Sequence, residues 1–149
     1  MRANEYRTHY CNELRLEDVG KEVRLAGWVQ KIRNLGKMTF VDLRDEFGIT
    51  QIIISDENLK SQIVDLKTEC AITVTGKVAE RSNKNKEIET GDIEIVAEKI
   101  IILGKCRAVL PFEINQKEAQ EVREDLRLEY RFLDLRNDKI HKNILLRSK

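Results

Sequence analysis

Residues 23–55 read VRLAGWVQKIRNLGKMTFVDLRDEFGITQIIIS, and the three alternating apolar runs within them decide what fold the chain can adopt. In the first run, 23–33, Val23, Leu25, Gly27 and Val29 keep one parity and Ile32 then breaks it. Successive side chains of a strand point to opposite faces, so a one-residue slip predicts a bulge near Gln30 or Lys31 that curls a long strand. The second run, 39–44, turns Val41 and Leu43 inward, and the third, 49–55, does the same with Ile52 and Ile54. Each run is bounded by Gly, Asp, Asn or Ser, residues that accept turn geometry.

Downstream, residues 57–66 carry Leu59, Ile63 and Leu66 at four- and three-residue steps, which predicts a short amphipathic helix. Alternation resumes at 72–78, with Ile72, Val74, Gly76 and Val78 inward, and at 92–97, with Ile93 and Ile95 inward. The predicted order is three strands, one helix, two strands. It matches the all-β, five-stranded Greek-key barrel called the OB-fold, whose outer sheet face and loops bind single-stranded nucleic acid or sugars. Another small barrel or an open α+β sheet fits the same order.

The only proline, Pro111, marks a change of pattern. Proline turns the residue before it away from helical angles, so Leu110-Pro111 reads as a hinge between a barrel domain at 1–110 and a helical segment at 111–149. Ala119, Val122, Leu126, Tyr130 and Leu133 recur at helical steps, and Asn137-Asp138 offers a cap for a second helix bearing Ile140, Ile144 and Leu145. The apolar side of that second helix has nothing left in the chain to pack against. The expectation is therefore a fragment of a longer protein.

Lys plus Arg number 27 and Asp plus Glu 26, so no global positive field attracts nucleic acid and any such contact has to be local. No stretch approaches the roughly 20 apolar residues that span a bilayer, and the start lacks the apolar core of a signal peptide, so a soluble, unexported chain without membrane contact is expected. Cys11, Cys70 and Cys106 are odd in number and far apart, as suits reduced thiols in the cytoplasm. His9 and His141 lack metal-ligand spacing, and no glycine follows Gly104, so a metal centre, a glycine-rich phosphate cradle and a catalytic set are all missing. These residues by themselves are expected to bind no cofactor and to be inactive.

Phe40, Asp42 and Arg44 share the parity opposite Val41 and Leu43, which puts an aromatic on the polar side of the second strand. Such a ring is a stacking platform for an unpaired base, or else it packs under a loop. Gln51 falls outward on the third strand, and Lys31 and Arg33 fall outward on the first after its bulge. Together they form a patch with an amide to read a base edge and cations for base or phosphate, although each cation alone also reads as solvated surface. Residues 77–86 set Lys77, Arg81, Lys84 and Lys86 against Glu80, a basic loop of the kind that clamps a strand in such barrels or simply stays wet. Glu94, outward on the fifth strand, has the acceptor for the exocyclic amine of cytosine and is otherwise an ordinary surface glutamate.

A series of short motifs then runs through the chain in order. They are Arg7-Thr8-His9-Tyr10-Cys11-Asn12-Glu13-Leu14-Arg15, Gly27-Trp28-Val29, Phe40-Val41-Asp42-Leu43-Arg44-Asp45 with Gly48 and Gln51, Val74-Thr75-Gly76, Thr90-Gly91-Asp92-Ile93-Glu94, Leu110-Pro111-Phe112, and Leu128-Glu129-Tyr130-Arg131-Phe132-Leu133-Asp134-Leu135-Arg136. The series resembles the opening of the bacterial aspartyl-tRNA synthetases.

That resemblance implies a barrel that binds the anticodon of aspartate tRNA, followed by a hinge and the first stretch of a class II catalytic domain. It implies that the middle anticodon base stacks on Phe40 and is contacted by Arg33 and Gln51, that Glu94 helps to read the third base, a cytosine, and that Lys31, Arg81 and Asn85 touch the tRNA further. For the parent enzyme it implies ATP, magnesium and a homodimer, with the fragment itself a monomer. The chain departs from the family pattern in Lys31, where Arg is frequent, in Asn34, where Asp is usual, in Ile53, which is aromatic in some members, and in Lys86-Glu87, which replace Pro-Asn. The rivals are the same module of an asparaginyl or lysyl synthetase, and a protein-interaction barrel with no nucleic-acid role.

Overall fold

Strand β1 (Glu22–Leu35) is long enough to serve two neighbours in succession. Residues 22–28 run antiparallel to β4 (Ala71–Glu80), and residues 28–35 run antiparallel to β2 (Met38–Arg44). Between the two, the register with β2 shifts between Val29 and Lys31 and leaves Gln30 as the extra residue, where the broken parity predicted it. Val29 bridges the handover, its N–H donating to Cys70 O at 2.9 Å and its carbonyl accepting from Glu69 N. Strand β3 (Ile49–Ile54) pairs antiparallel with β2 and parallel with β5 (Ile93–Gly104), and β5 returns antiparallel to β4. The barrel closes in the order β1-β2-β3-β5-β4, the expected OB-fold.

This computed structural model describes residues 4–106, 109–114 and 122–148, which fall into two compact units, residues 1–106 and 107–149. The interior of the first unit is aliphatic: Leu25, Val29, Val41, Leu43, Ile52, Ile54, Ile72 and Ile95 are fully closed to solvent. Burying such side chains removes apolar surface from water at roughly 25 cal/mol per Å², which is the main force holding the barrel shut.

In the first unit, β5 and α1 differ from the sequence expectation. Strand β5 runs seven residues past the predicted end at Ala97, because Glu98 is bulged out: Gly76 pairs with Ala97 and Thr75 with Lys99. The slip hands the inward positions from Ile93, Ile95 and Ala97 to Ile100, which is why simple alternation stopped reading as a strand. Helix α1 (Glu57–Gln62) is capped by Asp56, whose carboxylate accepts from Asn58 N and Leu59 N, yet it ends before residue 66. The consecutive β-branched residues Ile63 and Val64 are poor helix formers, and the chain turns at Ile63 while Ile63 and Leu66 still reach the core.

In the second unit, α2 (Glu124–Glu129) and α3 (Arg131–Asp134) replace the single stripe expected through Leu133, and α4 (Asp138–Ser148) is the second helix expected after it. Tyr130, at φ −106 and ψ 43, breaks the stripe, and Ala119 lies outside the described residues. Asn137 caps α4 as read from the sequence, its Oδ1 accepting from Lys139 N and Ile140 N.

Gly76 pairs with Ala97 beside the β5 bulge, and a Cβ there would lie 2.2 Å from the carbonyl oxygen of Val96. Backbone cannot step aside as a flexible side chain can. Gly76→Ala is therefore expected to destabilise the barrel by about 1–3 kcal/mol, read as a lowered midpoint in thermal denaturation.

Candidate nucleic-acid interface

The bulge at Gln30 determines which way the rest of β1 faces. Beyond it, Lys31 stands opposite Asp42 and Arg33 opposite Phe40, while across β2 Phe40 meets Ile53 and Asp42 meets Gln51. Phe40 is half-buried, lies outside the core cluster and has no ring partner among the described residues. It rests on the outer sheet face, beside the two side chains the sequence grouped with it.

Those side chains are joined. Arg33 Nη2 donates to Asp42 Oδ1 at 2.7 Å and to Gln51 Oε1 at 3.1 Å, and Gln51 Nε2 donates to Glu94 Oε2 at 2.8 Å. One hydrogen-bonded chain thus crosses β1, β2, β3 and β5. Its far end is less open than the sequence suggested, with Gln51 only 4% and Glu94 9% exposed. Gln51 has its carbonyl committed to Arg33 and one N–H to Glu94, which leaves one N–H and one lone pair for a ligand. Arg44, of the same parity as Phe40 and Asp42, leaves the patch: it is buried in an ion pair with Glu69, its Nη2 lying 3.1 Å from both carboxylate oxygens.

Burial raises the Glu94 carboxyl above the ordinary glutamate range, offset in part by the hydrogen bond from Gln51 and by the charge of Arg81. Arg81 stands at the start of the β4–β5 loop, with its N–H on Asp92 O at 2.9 Å. That loop is less positive than its lysines imply. Lys84 is paired with Glu80 at 2.9 Å; Lys77, read from the sequence as part of the loop, lies on β4, which runs on to Glu80, and pairs with Glu98 on β5 at 3.5 Å. Asn85 shapes the loop, with its Oδ1 accepting from Glu87 N at 2.9 Å and its carbonyl packed where a Cβ on Gly91 would fall. Lys31 is exposed and makes no ion pair among the described residues.

The sequence missed Asp42 as the partner of Arg33, although its shared parity with Phe40 was legible. No group of three or more His, Cys, Asp or Glu side chains that could hold a metal ion occurs among the described residues. No helix among them is long and apolar enough to cross a membrane.

A raised carboxyl pKa means that the folded chain holds the Glu94 proton more tightly than the unfolded chain does. Its contribution to stability is then full in acid and is lost as pH rises through the raised value. A carbon-13 NMR titration is expected to show a Glu94 midpoint above the usual glutamate value, and Gln51→Leu, which removes the opposing hydrogen bond, should move it further up.

A family model for OB-fold nucleic acid binding domains, of the tRNA anti-codon type, matches residues 23–103, which include all seven of Lys31, Arg33, Phe40, Gln51, Arg81, Asn85 and Glu94. The aspartate–tRNA(Asp/Asn) ligase of Rickettsia canadensis (strain McKiel) is 49% identical over 149 residues, covering 97% of this chain and 24% of that protein. The aspartate–tRNA ligase of Mesoplasma florum is 49% identical over 143 residues, covering 96% of this chain and again 24% of the relative. A solved asparaginyl-tRNA synthetase from Pyrococcus horikoshii, complexed with asparaginyl-adenylate, matches with a TM-score of 0.70 at 31% identity, over 88% of this chain and 29% of that one. The chain spans about a quarter of the length of these curated relatives. From the closed barrel and the match that runs through its outer face, the chain belongs to the family of OB-fold nucleic acid binding domains.

Proposed function

We propose that this chain reads the anticodon of aspartate tRNA for an enzyme that joins aspartate to that tRNA at the expense of ATP. The observation that carries the reading is the outer face itself, where a half-buried aromatic lies beside a hydrogen-bonded chain of donors and acceptors on neighbouring strands. Relatives 49% identical along nearly the whole chain are named aspartate–tRNA ligases, which supports the choice of amino acid.

An unstacked base lies on the Phe40 ring, held by dispersion and π contact. Arg33 and the spare N–H of Gln51 meet its edge. Glu94, as a carboxylate, accepts from the exocyclic amine of a cytosine. Lys31, with no carboxylate partner among the described residues, neutralises phosphate, and Arg81 and Asn85 line the loop over which the strand leaves. ATP and magnesium belong to the ligase reaction, and the described residues fit neither: they hold no carboxylate cluster for the ion and no glycine-rich turn for the phosphates. The same reading makes the parent enzyme a cytoplasmic homodimer and the chain alone a monomer.

Fluorescence anisotropy with stem-loops bearing the aspartate, asparagine and lysine anticodons tests the proposal. The aspartate stem-loop should bind tightest, and Phe40→Ala should weaken it by about 1–3 kcal/mol. Equal affinity for all three would overturn the assignment, and no RNA binding by either form would leave only a protein-interaction barrel.

Because burial lifts the Glu94 carboxyl, affinity for the cytosine-bearing loop should fall on acidification at a pH above that of an ordinary carboxylate. Glu94→Gln should flatten that profile, since it cannot take up the proton.

A further inference from the structure

We propose that Asp42 determines specificity on this face by neutralising and holding Arg33, so that the guanidinium reads an uncharged base edge and does not clamp phosphate. The inference rests on the anticodon reading above and assigns its two central cations different work.

By register, the Asp42 side chain has a choice. It stands directly opposite Lys31 on β1 and Gln51 on β3, with Arg33 on the diagonal. The carboxylate is bonded to Arg33 at 2.7 Å, while Lys31 stays exposed without an ion pair among the described residues. Both N–H groups of Arg33 Nη2 are then occupied, one by Asp42 and one by Gln51. Arg33 Nε is closed to solvent and has no partner among the described residues. Nη1 makes no hydrogen bond among the described residues either, and with the side chain 38% exposed that edge of the fork is open to a ligand.

A guanidinium already matched by a carboxylate at contact carries little net charge to offer. A phosphate brought to it would set two anions around one cation, whereas a base edge needs only a directed N–H donor, which the pair still supplies. Holding Nη2 at two points also fixes the direction of Nη1, and a fixed donor discriminates between acceptors better than a mobile one. Lys31, compact and unpaired, is the group suited to phosphate. The division fits a chain whose formal net charge is only +1 and which therefore cannot rely on bulk attraction.

The test is the salt dependence of stem-loop binding by the full chain. Asp42→Asn keeps the shape and frees the Arg33 charge. The slope of log affinity against log salt should steepen by about 0.7, as for one more phosphate contact on a single strand. Preference for the aspartate stem-loop over one with an altered middle base should shrink about tenfold, the discrimination typical of one good base-edge contact. Asp42→Glu, which retains the charge, should keep the wild-type slope, and adding Arg33→Gln to Asp42→Asn should restore it by removing the freed cation. A residue that merely supports the fold would weaken all stem-loops alike and leave the slope alone. That result, or an Asp42→Asn protein with slope and preference unchanged, overturns the inference while the anticodon reading stands. A wild-type chain that binds every stem-loop equally overturns both.

Discussion

Everything on the outer face depends on a single unpaired residue in β1. Gln30 drops out of the ladder with β2, so Lys31 pairs where an unbroken strand would have put Gln30. Without that slip, Arg33 would point toward the aliphatic interior and Ile32 toward water. A charged side chain buried without a partner is too costly to tolerate, so the bulge and the polarity of residues 31–33 require each other. The same bend lets β1 leave β4 and join β2, which is what closes five strands into a barrel with few exposed edges.

The face that results is not an open basic platform. Its centre is a partly buried polar chain, Arg33 to Gln51 to Glu94, with Asp42 on one side and Arg81 on the other. Charges of opposite sign are interleaved, and both Lys77 on β4 and Lys84 in the loop after it are paired with glutamates. Such a surface exerts little long-range pull on a polyanion, and on the proposed reading its affinity for RNA comes from stacking and directed hydrogen bonds at short range. Burial makes those bonds stronger and also lifts the Glu94 carboxyl, so on the proposed reading the acceptor offered to a base is lost at a pH above the ordinary glutamate range.

The strand pattern was legible because alternation reports directly on which side chains face the core, and Val23, Leu25, Val41, Leu43, Ile52, Ile54, Ile93 and Ile95 all lie inside as read. Where alternation slipped, the reading held only if the slip left a clear trace. The parity break at Ile32 did so. Glu98-Lys99 did not, since two charges in a row look like the end of a strand rather than a bulge within one. The helix after residue 57 was recognisable from its apolar spacing, but its end was not, because Ile63 and Leu66 keep the inward spacing after the backbone has ceased to be helical.

Sequence by itself determined the strand order, the outward parity of Phe40, Arg33 and Gln51, and the long run of motifs shared with a known family. Those properties are local or periodic, set by which side chains water excludes. Tertiary structure alone decided that Arg44 is withdrawn to Glu69, that Asp42 takes Arg33 and not the directly opposite Lys31, and that Gln51 and Glu94 are nearly closed to solvent. Hydrogen-bond partnership and desolvation depend on distances between residues far apart in the chain, and those distances exist only once the barrel has closed.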